Sequence, residues 1–153
     1  MAVHRLKTNL SLAAASTIVD AALARGREKG YEPLTVIVLD SGGHLLAAKR
    51  EDGSGIARVE IATGKAWAAI AMGLSSRAIG AANVERVAFL NAAAAASGGR
   101  FVPVAGGVLV CDEAGEVIGA VGVSGDNSDN DEDCAVAGIQ AAGLASVPAE
   151  SSV

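Results

Sequence analysis

Residues 8 to 29 are rich in alanine, contain no proline and run into Gly30, a pattern that predicts a helix closed by a glycine cap. "YEP" breaks that pattern. The β-branched run "LTVIVLD" (34–40), the turn "SGG" and "HLLAAKR" (44–50) then predict two hairpin-linked strands. The first strand is apolar at almost every position, so it is expected in the middle of a sheet covered on both faces. After the loop "EDGSG", whose Ser54 is a candidate cap, residues 56–74 follow a helical period with Ile56, Val59, Ala62, Ala66 and Ile70 on one stripe. "SSRAIGAA" reads as an interruption, and residues 83–96 as a further alanine-rich helix ending at Gly98. "VLVCDEAGEVIGAVGVS" is a second hairpin turning at Glu113 to Gly115. The last helix is expected from about Asn127 to Leu144, with Cys134, Ala137, Ala141 and Leu144 at core spacing.

The predicted order is therefore αββααββα. Hairpin-linked strands require an antiparallel sheet, and the flanking apolar helices suffice to cover both faces. The expectation is a three-layer α/β/α sandwich forming one domain over residues 1–153, with its core in about 8–145 and a frayed tail from 146 to 153. No linker or repeat divides it.

Composition narrows the function. The formal net charge of −5 argues against a nucleic-acid partner, which requires a basic face. No apolar run is long enough to span a bilayer, and the N-terminal stretch lacks the apolar centre of a signal peptide, so a cytoplasmic location without membrane contact is expected. Cys111 and Cys134 have neither disulfide-framework nor zinc spacing, and no metal site is expected. Aromatic residues make up only 3% of the chain, so small residues must pack closely, and burial against a second copy becomes an attractive source of stability.

The most conspicuous stretch is "GVSGDNSDNDEDCA" (122–135). A calcium loop would need a central glycine and a distant bidentate glutamate, and both are missing. Two readings remain. The acids cap the last helix and face its dipole, or Gly122, Ser124 and Gly125 turn backbone N–H groups toward an anionic ligand, with Asp131 or Glu132 reaching in from the first turn. Gly106 and Gly107 in "VAGG" permit close backbone approach, to another segment or to a ligand. Lys65, inside the apolar "IATGKAWAAIAM", is a candidate base or anion anchor, since burial lowers a lysine pKa. Arg50 is a candidate second anion contact; His44 begins a strand, where a structural role is usual.

"VLDSGGHLLAAKREDG", "IATGKA", "VAGGVLV" and "GEVIGAVGVSGDNSDNDEDCAVAG", in this order, resemble the GlcG/HbpS-like family, the haem-degrading or haem-binding domain family that includes the C-terminal domain of PduO-type proteins. The similarity runs over roughly residues 10 to 145. It implies a small α/β/α protein that forms dimers or larger homo-oligomers and binds haem, a corrinoid or a small anionic metabolite in a catabolic setting. It also places Lys65 at the family's A-x-x-K-A position, and Gly106 and Gly107 near the cleft of the Gly-Ser-Gly turn. Haem binding in the family is associated with a histidine on the first helix; residues 8–29 contain none, while His4 precedes them and Tyr31 follows. The alternative is a cofactor-independent isomerase, lyase or hydrolase acting on a small carboxylate-bearing catabolic intermediate, with Lys65 and Asp131 as acid and base.

Overall fold

In the computed structural model, which describes all 153 residues, the first helix, α1 (Leu12–Lys29), starts at Ser11 and ends at Gly30. The Ser11 side chain accepts from Ala14 N, and Gly30 takes the left-handed conformation, so both ends are capped within the chain. Strands β1 (Thr35–Asp40) and β2 (Leu45–Arg50) form the first hairpin. Helices α2 (Arg58–Met72), α3 (Ser76–Ala82) and α4 (Val87–Ala96) follow. Strands β3 (Gly107–Cys111) and β4 (Val117–Ser124), helix α5 (Ser128–Ala141) and the short β5 (Ala145–Val147) complete the chain. All strand pairs are antiparallel, in the spatial order β2-β1-β4-β3-β5.

Alternation along β1 divides the core between the two faces of the sheet. Val36 and Val38, with Val108, Val110, Val121 and Val123, pack against α1 and α5. Ile37 and Leu39, with Leu109 and Ala120, pack against Ala62, Ala66 and Ala69 of α2. Every residue of β1 except Asp40 is buried, as expected of a strand covered on both sides. Helices α3 and α4 lie outside α2, around Ala68, Ile79 and Phe101.

The sandwich expected from the sequence is present, with local corrections. "SSRAIGAA" forms α3, because the Ser75 side chain caps it by accepting from Ala78 N. Residues 145–147 are not frayed; they pair with β3 and protect its outer edge. The buried side of α5 is Cys134, Ala135, Gly138 and Ile139, whereas Ala141 is exposed. Ser54 does not cap α2; its hydroxyl bonds that of Thr35 at 2.9 Å, and α2 starts without a side-chain cap. Ile56 is exposed ahead of α2, so the buried stripe of that helix begins at Ala62.

Candidate functional site

Two glycines set the position of α2. Gly107 and Gly122 face each other across β3 and β4, and the helix backbone rests directly on them. A Cβ at Gly122 would overlap the Ala62 carbonyl, and one at Gly107 would overlap the Lys65 carbonyl. The close approach that these glycines allow is therefore made by another segment of the chain. It lowers Lys65 to the end of the sheet, where the side chain passes Gly106; a Cβ there would stand 2.9 Å from the ammonium. Gly106 also has φ +118, a conformation that only glycine adopts readily.

Lys65 is 2% exposed and Asp131 1%. The Lys65 ammonium donates to Asp131 Oδ2 at 2.8 Å and to the Val123 carbonyl at 2.9 Å. Asp131 Oδ1 accepts from Asp126 N at 3.0 Å, so both carboxylate oxygens are occupied. Burial lowers the Lys65 pKa and raises that of Asp131; their mutual attraction and hydrogen bond oppose both shifts. The pair ties α2, on one face of the sheet, to α5, on the other.

The next two acids of α5 do the same toward other elements. Glu132 accepts from Arg77 Nε of α3 at 2.9 and 3.1 Å, and Arg77 also binds Asp129. Asp133 accepts from Arg25 of α1 at 2.8 and 3.1 Å, with the Ser151 hydroxyl donating at 3.1 Å. Asn127 caps the helix through Asn130 N, and Asp126 accepts from Glu32 N at 2.7 Å. The acids of 126–133 are thus spent on backbone N–H groups of the neighbouring turns and on ion pairs to three separate helices.

Arg58, a residue without a sequence signal beyond a charge ahead of "IATGKA", joins the same end of the sheet. Its guanidinium donates to the buried Ser124 hydroxyl at 3.2 Å, and its charge acts on Lys65, Asp126 and Asp131. Arg58 is only half-buried, between the exposed Ile56 and Val59 in sequence. It is the cation of this cluster that solvent can reach. Gly125 packs against the Pro33 carbonyl and Leu34. Arg50 is on other ground: it donates to the Ser54 carbonyl and lines an open cleft of about 440 Å³ with Arg27, Pro33, Glu51 and Asp52.

The family model of the haem-degrading HbpS-like proteins matches residues 10–140. The chain belongs to this family. Three solved structures share the architecture of this HbpS-like chain. ORFY of Klebsiella pneumoniae is 26% identical with a TM-score of 0.80, covering 94% of this chain and 97% of its own. A complex of PduOC with haem is 27% identical with a TM-score of 0.78, covering 88% and 96%. A double mutant of HbpS from Streptomyces reticuli is 26% identical with a TM-score of 0.75, covering 92% and 94%. No curated protein matches the chain.

The residues present do not fit an axially ligated haem within one chain. His4 is exposed and outside any helix or strand; His44 is exposed on the β1–β2 turn beside Asp40. Tyr31 turns its hydroxyl to Asp133, and both cysteines are buried in the core. Met72 lines an apolar groove of only about 200 Å³. No helix is long and apolar enough to cross a membrane.

Proposed function

We propose that this HbpS-like protein is a homo-oligomeric accessory protein that binds haem, a corrinoid or a small anionic metabolite, and that the carboxylate of a haem or a metabolite meets a cation at the end of the sheet. Arg58 is its first contact. The observation that carries this reading is the half-exposed guanidinium at the sheet end, oriented by Ser124 and flanked in sequence by the exposed Ile56 and Val59. The cation offers a carboxylate partner, and the apolar side chains offer a surface for a ligand body or a second copy. The structural similarity to a haem complex supports a ligand of this kind. Asp131 stands behind Arg58 as a counter-charge and is itself held by Lys65, with Gly106, Gly107, Gly122 and Gly125 fixing the backbone around them.

In this reading haem is held by propionates and apolar contact, without an axial side chain. Titration with hemin and with metal-free protoporphyrin IX tests it: the two bind alike, and Arg58→Ala weakens both by about tenfold. A sharp Soret shift with hemin alone, lost in His4→Ala, overturns it.

The opposed shifts of Lys65 and Asp131, each toward its neutral form, favour proton transfer on a small carboxylate as a second reading. Turnover abolished by Asp131→Asn with porphyrin binding retained would select it.

A further inference from the structure

The chain's single tryptophan and one of its two phenylalanines meet in one place, away from the sheet end. Trp67, Ala71 and Met72 of α2, Ala93 and Ala96 of α4, and Phe101 line a groove of about 200 Å³ whose wall is otherwise only Ser97. The Ser97 hydroxyl is already committed to the Ala94 carbonyl, so the groove offers an apolar surface with an aromatic floor. Beside it in the chain, next to Phe101, the exposed Arg100 stacks its guanidinium on the Trp67 ring, 4.6 Å from the centroid. Arg100 Nε donates to the Ser97 carbonyl at 2.9 Å, which fixes the plane of the fork. Its two Nη groups donate to nothing in the protein and pair with no carboxylate.

We propose that this groove is a second binding site and that it takes a single-ring aromatic carboxylate. Three features select that class. The groove of about 200 Å³ is on the scale of one ring, since a cavity of about 150 Å³ holds benzene. Trp67, Phe101 and the Met72 thioether are the partners that an aromatic ring packs on best. The unpaired Nη fork of Arg100, pre-oriented in an otherwise acidic protein, matches a carboxylate in bidentate geometry. Arg58 plays no part here, so this proposal stands or falls independently of the sheet-end reading.

Because Trp67 is the only tryptophan, its emission reports on the groove directly. Benzoate should change that emission saturably, with uncharged benzamide binding about tenfold more weakly. Arg100→Gln should reduce benzoate to the level of benzamide, and Ala96→Phe, which fills the groove from an exposed helix position, should abolish both titrations. Sedimentation of each variant accompanies the titrations. The proposal is overturned if benzoate causes no saturable change, if Arg100→Gln leaves benzoate binding unaltered, or if hemin saturates the groove and benzoate does not. It is equally overturned if Ala96→Phe dissociates the benzoate-free protein into smaller species, which would assign the groove to a second copy of the chain.

Discussion

Lys65 of α2 and Asp131 of α5 meet at 2.8 Å around the end of a sheet that otherwise keeps their helices apart. Removing one partner leaves a buried charge without its counterion, which costs about 3–5 kcal/mol, whereas neutralising both together is far less harmful. Lys65→Met should therefore lower the unfolding free energy by an amount in that range. Lys65→Met combined with Asp131→Asn, which keeps an acceptor for Asp126 N, should recover a large part of it. Denaturant titration of the parent and the two variants checks the expectation; equal losses in the single and double variants would refute it.

The glycine saddle beneath α2 gives a second expectation. Gly122→Ala drives a methyl into the Ala62 carbonyl, and either the helix lifts or the sheet bends. Overpacking of this kind costs about 1–3 kcal/mol or more. Gly55→Ala, where the new methyl would find only Arg58 Cγ at 3.9 Å and the backbone needs no positive φ, should stay within about 0.5 kcal/mol of the parent. Melting curves of the two variants separate a packing requirement from a general intolerance of substitution.

Acid should destabilise the protein through the carboxylates of the α5 start. Hydrogen bonding from Glu32 N holds Asp126 below the ordinary carboxylate range. Burial pushes Asp133 up, but the Arg25 hydrogen bonds and charge outweigh it, so its net shift is downward. A carboxyl with a depressed folded-state pKa contributes stability above its unfolded value, about 3.9, and loses it as pH falls through the folded value. Stability should thus decline below about pH 4. Asp126→Asn should make that acid limb shallower, as measured by unfolding between about pH 5 and pH 2; an unchanged slope would exclude Asp126 from the effect.

Neither cysteine should react in the native protein. Burial pushes the Cys134 thiol up to about 12, and Cys111 is shifted in the same direction. The thiolate is the reactive form, so a disulfide reagent at about pH 8 should label both residues only after denaturant is added. Rapid labelling of native protein would contradict the burial of both side chains.

The layers of the fold were legible in the sequence because they follow from alternation and helical period, as Val36 and Val38 against Ile37 and Leu39 illustrate. What was not legible depends on partners distant in the chain. β5 is three residues whose only reason to be extended is the open edge of β3. The buried acids 131–133 carry no apolar signal, and their burial depends on cations from α2, α3 and α1. Lys65 was conspicuous as a charge within an apolar helix, and its neighbourhood with Gly106, Gly107 and Asp131 is present. Its ammonium, however, is committed to Asp131 and Val123, while Arg58, indistinguishable in sequence from a solvated first-turn charge, has the accessible position.

Asp131, Glu132 and Asp133 are consecutive, so on a helix their side chains fan out in steps of about 100° toward three different cations. The arrangement works as a key with three teeth. Adding or deleting one residue between Asp133 and Cys134 would turn the key by one step against the buried apolar side of α5 and present every acid to the wrong lock. The spacing of the three acids from the apolar side of α5 is therefore fixed more strictly than the composition of its first turn, where Ser128, whose side chain makes no hydrogen bond to the protein, is free to change.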